Sequence, residues 1–230
     1  MDSAFWHERW LNGQTGFHEP DGNARLRKHF GAFEVEAQTQ LQVTDKAEIF
    51  VPLCGKSTDM SWLADQGLRV VGVELSEIAV ESFFENEGLV PKTSQVGKLR
   101  LYQAGPYRVF CGDFFDLQSD YLNETRYTFD RGSFIALPTP MRERYGRHMR
   151  TLLPTTCKTL LIALEYDQAT MSGPPFSVLE AEVHSTFEDG FGIQLLETQD
   201  ILDMEARFKA KGLTKLIEKT YLLTRLGQAR

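Results

Sequence analysis

The chain has 230 residues, 42% of them apolar and 25% charged, globular proportions that exclude disordered, collagen-like and coiled-coil classes. Its 25 lysines and arginines against 32 aspartates and glutamates give a formal charge of −7, a field that repels nucleic-acid phosphates and anionic lipid surfaces. The longest apolar run, Leu160 to Leu164, is far short of a membrane span, and Met1-Asp2-Ser3-Ala4 lacks the basic and apolar regions of a signal peptide.

These features predict a cytoplasmic protein that binds neither nucleic acid nor membrane. Cys54, Cys111 and Cys157 form no CxxC pair and read as small buried thiols of a reducing compartment. No Pro, Ser or Gly-rich linker separates two cores, so residues 1–230 are expected to form one domain.

Trp6 and Trp10 lie four apart on one face of a first helix, before Gly13 and Gly16 break the pattern, and a second helix carries Leu26, Phe30 and Phe33. Residues 47–53 read as a buried strand followed by a small-residue turn. A helix capped by Ser57 or Thr58 then presents Met60, Leu63 and Ala64 to the core and stops at Gly67. Residues 69–75 form the next strand, and Ser76 caps a helix bearing Ile78, Phe83 and Phe84.

Two further strands, 99–102 and 107–111, flank the turn Ala104-Gly105-Pro106, the first of them an added hairpin arm. A short strand at 127–130, a helix over 140–153 with Met141, Tyr145, Met149 and Leu152 on one stripe, and a strongly buried strand at 159–164 follow. A helix through Leu179 and Val183 leads to residues 194–197, and 215–224 closes the chain as an antiparallel partner of that strand.

This alternation predicts an α/β fold: a three-layer, doubly wound, mostly parallel sheet with ligand chemistry at the carboxyl ends of the strands. Three of those ends carry unusual residues: Leu53-Cys54-Gly55-Lys56, Glu74, and Gly112-Asp113. Glu74 lies nineteen residues beyond Gly55, the distance that returns the chain through one helix to the neighbouring strand, where an acid accepts both ribose hydroxyls. Gly55 lets ligand atoms approach the backbone. Asp113 is placed either to accept from an exocyclic amine while Phe114 covers a purine face, or simply to cap a helix.

Gly55-Lys56-Ser57 is not a P-loop, because the required earlier glycine is Phe50. The five histidines offer no HExxH or paired Cys/His spacing, so no metal site is expected, and the absence of GxSxG leaves covalent hydrolysis without support.

The stretches Trp10-Leu-Asn-Gly-Gln-Thr-Gly-Phe-His18, Val51-Pro-Leu-Cys-Gly-Lys56, Val71-Gly-Val-Glu-Leu-Ser76, Phe129-Asp-Arg-Gly132 and Gly173-Pro-Pro-Phe176 occur in this order across nearly the whole chain. In them the sequence resembles the thiopurine S-methyltransferases. The resemblance implies a seven-stranded class I, Rossmann-like methyltransferase fold using S-adenosylmethionine, with a helical lid over residues 1–35 and a core over 45–230. It places Trp10, Leu53, Glu74 and Arg131 at the cofactor, Asp113 and Phe114 by the adenine, and Trp6 and Phe17 in the lid over cofactor and substrate.

Arg207, in Glu205-Ala-Arg-Phe-Lys209, aligns with a substrate-side arginine; with Arg131 it is expected to favour the anionic acceptor, while Phe17 stacks on the acceptor ring. The implied acceptor is an aromatic or heterocyclic thiol, or a selenium or tellurium species, and the implied state is a monomer. The acidic-x-GxGxG loop of many methyltransferases is reduced here to Pro52-Leu-Cys-Gly55, as in the thiopurine branch. Two other readings compete: a nicotinamide-dependent dehydrogenase, for which the GxGxxG loop is missing, and a nucleoside-binding module without turnover.

Overall fold

The computed structural model describes residues 3–34 and 47–227, so the boundary between lid and core expected at 35–45 lies outside the described residues. By contact the chain divides into two compact units, Met1–Phe129 with Leu152–Pro154, and Asp130–Thr151 with Thr155–Arg230.

In the first unit, helices α1 (Ser3–Leu11) and α2 (Ala24–His29) precede β1 (Glu48–Val51), α3 (Thr58–Asp65), β2 (Arg69–Glu74) and α4 (Glu77–Asn86). Strands β3 (Lys92–Val96), β4 (Leu99–Ala104) and β5 (Tyr107–Cys111) follow, and β6 (Thr125–Arg131) runs to the end of the unit and two residues beyond it. The strand order is β3-β4-β5-β2-β1-β6. β2 pairs parallel with β1 and β5, β1 is also parallel to β6, and β4 is antiparallel to both β3 and β5.

Every residue of β1 is buried, as is all of β2 after Arg69, the pattern of strands covered on both faces. Helices α3 and α4 pack on β2. The Ser57 side chain caps α3 through the Asp59 N–H, Met60 and Leu63 face the core, and Gly67 takes φ +87° just past the end of that helix.

The second unit holds α5 (Thr139–Leu152) but for its last residue, β7 (Lys158–Glu165), α6 (Glu180–Phe187), β8 (Phe191–Asp200), α7 (Ala206–Ala210) and β9 (Ile217–Arg225). Its strands run β7-β9-β8, with β9 antiparallel to both neighbours, so the closing antiparallel pair is as expected. Tyr145, Met149 and Leu152 form the buried stripe of α5. Among the described residues no helix is long and apolar enough to cross a membrane.

Nine strands occur among the described residues; with the antiparallel β3–β4 extension set aside, seven remain. β3 was not anticipated: Lys-Thr-Ser-Gln-Val is exposed along most of its length and carries no apolar alternation. Of the apolar residues read on helices, Phe83, Phe84 and Val183 are buried, whereas Ile78 is 39% exposed and Leu179, 55% exposed, stands at the N-cap of α6 and not within it. Cys54 and Cys157 are buried as expected, whereas Cys111 is only partly covered.

Candidate active site

The site is built at the carboxyl ends of β1, β2 and β5. After β1 the chain turns sharply: Leu53 adopts φ +44° and Gly55 φ +54°, the left-handed region that a β-carbon disfavours, so Leu53 stores strain where Gly55 does not. The Cys54 N–H, three residues past the end of β1, donates to the Val73 carbonyl at 3.0 Å and ties the turn to β2.

Glu74 ends β2 and is 6% exposed. Its Oε2 accepts from the Gly55 N–H and its Oε1 from the Ser76 N–H, each at 2.8 Å. Burial pushes its carboxyl above the usual glutamate range, and the amides of Ser76, Gly55 and Leu75 partly offset that push. These amide bonds leave part of the carboxylate's roughly four acceptor positions for hydroxyl donors. Gly55 and Glu74 thus meet as their spacing predicts, and the Ser76 amide joins them without a signal in that spacing. Ser76 stands at the N-cap of α4, but its side chain makes no capping bond.

Gly72, two residues before Glu74, has no room for a side chain: a Cβ there would lie 2.7 Å from Cys54 Sγ. The Cys54 thiol therefore sits directly on the β2 backbone, and burial, followed by the Glu74 charge, holds its pKa well above the ordinary thiol value. Such a thiol packs and does not react.

The amino-terminal arm supplies aromatic surface beside this turn. A Cβ on Gly55 would approach Trp10 Cζ2 to 3.2 Å, so the indole lies against the glycine. The Phe17 ring meets Trp10 and Trp6 edge-to-face, with centroids 5.6 and 5.9 Å apart. Trp10 is buried, whereas Trp6 and Phe17 are half-buried.

After β5, Asp113 accepts from the Phe115 N–H at 2.9 Å through Oδ1 and caps a short 3-10 turn, so the capping reading holds for one of its oxygens. Phe114 is buried beside it, its ring 5.2 Å from that of Phe115.

Arg131 and Arg207 belong to the second unit. Arg131, half-buried, ends β6. Beside it, buried Asp130 accepts from the Tyr145 hydroxyl at 2.6 Å and from the Phe134 N–H at 3.2 Å, fixing the turn that follows the strand. Arg207 lies in α7, pairs with Glu205 at 3.2 Å and stands 4.9 Å from the Phe208 ring centroid, with 46% of its side chain exposed. Among the described residues no group of three side chains is arranged to hold a metal ion.

The donor set fits an adenosyl ligand: a buried carboxylate with acceptor positions to spare, beside a tight glycine turn that the Trp10 indole packs against. Known proteins point the same way. A sequence profile described as thiopurine S-methyltransferase matches residues 1–226. The thiopurine S-methyltransferase of Pseudomonas fluorescens (strain SBW25) is 44% identical over 223 residues, 97% of this chain and 99% of the relative. That of Xanthomonas campestris pv. campestris (strain 8004) is 44% identical over 227 residues, 98% of this chain and 100% of the relative.

Among solved structures, 1,6-didemethyltoxoflavin-N1-methyltransferase of Burkholderia thailandensis, bound to 1,6-didemethyltoxoflavin and S-adenosylhomocysteine, superposes with a TM-score of 0.60 at 14% identity. The match covers 98% of this chain and 87% of that one. A methyltransferase of Anabaena variabilis dependent on S-adenosylmethionine gives 0.60 at 14% identity, over 97% and 94% of the two chains. The fold is that of the S-adenosylmethionine-dependent methyltransferases. Within that class the chain belongs to the thiopurine S-methyltransferase family, and S-adenosylmethionine is its cofactor.

Proposed function

We propose that this protein transfers a methyl group to the sulfur of aromatic or heterocyclic thiols beside the aromatic arm of residues 6–17. The observation that carries the reading is the buried Glu74 carboxylate held between the amides of Gly55 and Ser76, in a chain of this family. Bound S-adenosylmethionine supplies the electrophile, a methyl carbon on a sulfonium centre.

Glu74 accepts ribose hydroxyl protons at its remaining positions, and Gly55 admits the ligand to the turn. Asp113 accepts from the exocyclic amine through Oδ2, the oxygen not engaged by Phe115, while Phe114 lies against the purine. Trp6, Trp10 and Phe17 exclude water, and Phe17 offers a ring face to the acceptor. Displacement at the methyl carbon requires in-line approach by an ionised sulfur, so residues that position and desolvate supply most of what the reaction needs.

On the family resemblance alone, Arg131 holds the cofactor and, with Arg207, favours the thiolate form of the acceptor. The same reading has the protein acting on small molecules in the cytoplasm as a monomer, with selenium and tellurium species as further soft nucleophiles.

The test sets 6-mercaptopurine against its oxygen analogue hypoxanthine at equal concentration, with S-adenosylmethionine saturating and methylated products read by mass spectrometry. Methyl thioether with little or no methylated hypoxanthine is expected; equal methylation of both would sink the sulfur assignment.

A further inference from the structure

We propose that Asp59 is a positioning residue of the methyl-transfer site, anchoring the strap of residues 10–23 that carries Trp10 and Phe17; the proposal rests on the function given above. Both ends of the strap close on one short segment at the start of α3. At one end the Trp10 indole lies on Gly55. At the other, four residues along, the Asn23 N–H donates to Asp59 Oδ1 at 2.6 Å, and the Thr58 hydroxyl donates to the Glu19 carbonyl at 2.9 Å. Asp59 is 2% exposed, and its Oδ2 accepts from the Ser57 hydroxyl at 3.0 Å.

The strap is shaped for this contact. Gly22 has φ +71°, and a Cβ there would stand 3.0 Å from Asp59 Oδ1, so the backbone approaches the carboxylate as closely as a side-chain-free residue allows. Asn23 then caps α2 through the amides of Arg25 and Leu26, at 3.0 and 3.1 Å, while its Nδ2 donates to Glu19 Oε2 at 3.2 Å. Beyond that cap the chain is held independently: Leu26 and Phe33 are buried and Phe30 packs on Trp62. Loss of the Asp59 contact therefore loosens the far end of the strap, which keeps the Thr58 bond to Glu19 and the 2.6 Å bond from Arg27 to the Asp21 carbonyl, and leaves the segment behind it attached.

Closing a loop of this length opposes chain entropy, and a fixed far end makes the seating of Trp10 and Phe17 a local event. Without the anchor, part of the ligand's binding free energy goes into ordering the strap, and apparent affinity falls by the fraction of molecules in which it is seated.

The experiment measures S-adenosylhomocysteine affinity by calorimetry, and acrylamide quenching of tryptophan fluorescence without ligand. D59A is expected to bind ~10-fold more weakly and to quench more readily, with kcat at saturating cofactor changed by less than about twofold. D59N keeps an acceptor toward Asn23 and a donor toward Ser57, and should restore affinity to within about twofold of wild type.

T58V removes only the bond to Glu19 and should weaken binding by roughly two- to threefold, which keeps the test alive if D59A does not fold. T125V breaks the 2.8 Å bond between Thr125 and Glu48 at the opposite end of β1 and should leave affinity unchanged, separating positioning from general destabilisation. Folded D59A that binds as tightly as wild type, or T58V doing so where D59A is unfolded, overturns the anchor alone. Wild type that fails to bind S-adenosylhomocysteine overturns the proposed function and the anchor with it.

Discussion

The Gly55 amide donates to Glu74 Oε2 at 2.8 Å, so the residue that ends β2 also fixes the turn that follows β1. One side chain thereby shapes the glycine turn and offers acceptor positions to the ligand that the turn admits. Replacing Glu74 with alanine removes both, and leaves the buried N–H groups of Gly55 and Ser76 without their acceptor. The expected loss is about 1–3 kcal/mol of S-adenosylhomocysteine affinity, read by calorimetry. Wild-type affinity in the variant would remove Glu74 from the site.

Glu74 also predicts how binding responds to pH. Burial raises its folded-state pKa, and the ionised form is the better acceptor for hydroxyl donors. Affinity should hold above that pKa and fall on acidification, beginning at a higher pH than an ordinary glutamate would give. E74Q should show a flatter profile. The stability term has the opposite sign: a raised acid favours the fold at low pH, and that contribution is lost as pH rises through the folded pKa.

The fit of Cys54 on Gly72 carries a prediction about packing. G72A places a Cβ 2.7 Å from Cys54 Sγ and must push the thiol or the strand aside. A loss of roughly 1–3 kcal/mol in urea unfolding is expected, with weaker cofactor binding because the neighbouring turn moves. In the double variant G72A/C54A the obstructing sulfur is gone, so part of the loss should return. Additive losses would contradict the steric account.

Asp130 provides a pH test in the second unit. Burial pushes its carboxyl up to about 6 from an ordinary 3.8, although the Tyr145 hydroxyl and the Phe134 and Ser133 groups draw it back. The protonated acid is favoured in the fold, so its stabilisation is complete below the unfolded pKa and is lost as pH rises toward 6. Between pH 4.5 and 7.5, wild type should lose about 2 kcal/mol more than D130N in urea unfolding. Parallel pH profiles for the two proteins would refute the assignment.

Legibility in the sequence followed burial and local chemistry. β1, α3 and β2 were readable because their apolar runs are unbroken and Ser57 and Gly67 mark the helix ends. β3 was not, because its exposed polar residues are held only by antiparallel pairing to β4. The five-residue α7 is too short to show a helical period. Within the candidate site, Gly55 and Glu74 were found by a spacing that one helix explains. Asp59 was missed because its partner Asn23 lies 36 residues upstream, a distance no local pattern encodes. The role of Cys54 depends likewise on a glycine in the neighbouring strand.

The most direct test of the central claim is a mass-spectrometric assay of purified protein with trideuteromethyl S-adenosylmethionine and 6-mercaptopurine. The expected result is deuterated methyl thioether and S-adenosylhomocysteine formed in equal amounts, both reduced in E74A at limiting cofactor. Neither product appearing with saturating cofactor, while S-adenosylhomocysteine still binds, would contradict thiol methyl transfer and leave a protein that binds the nucleoside without turning it over.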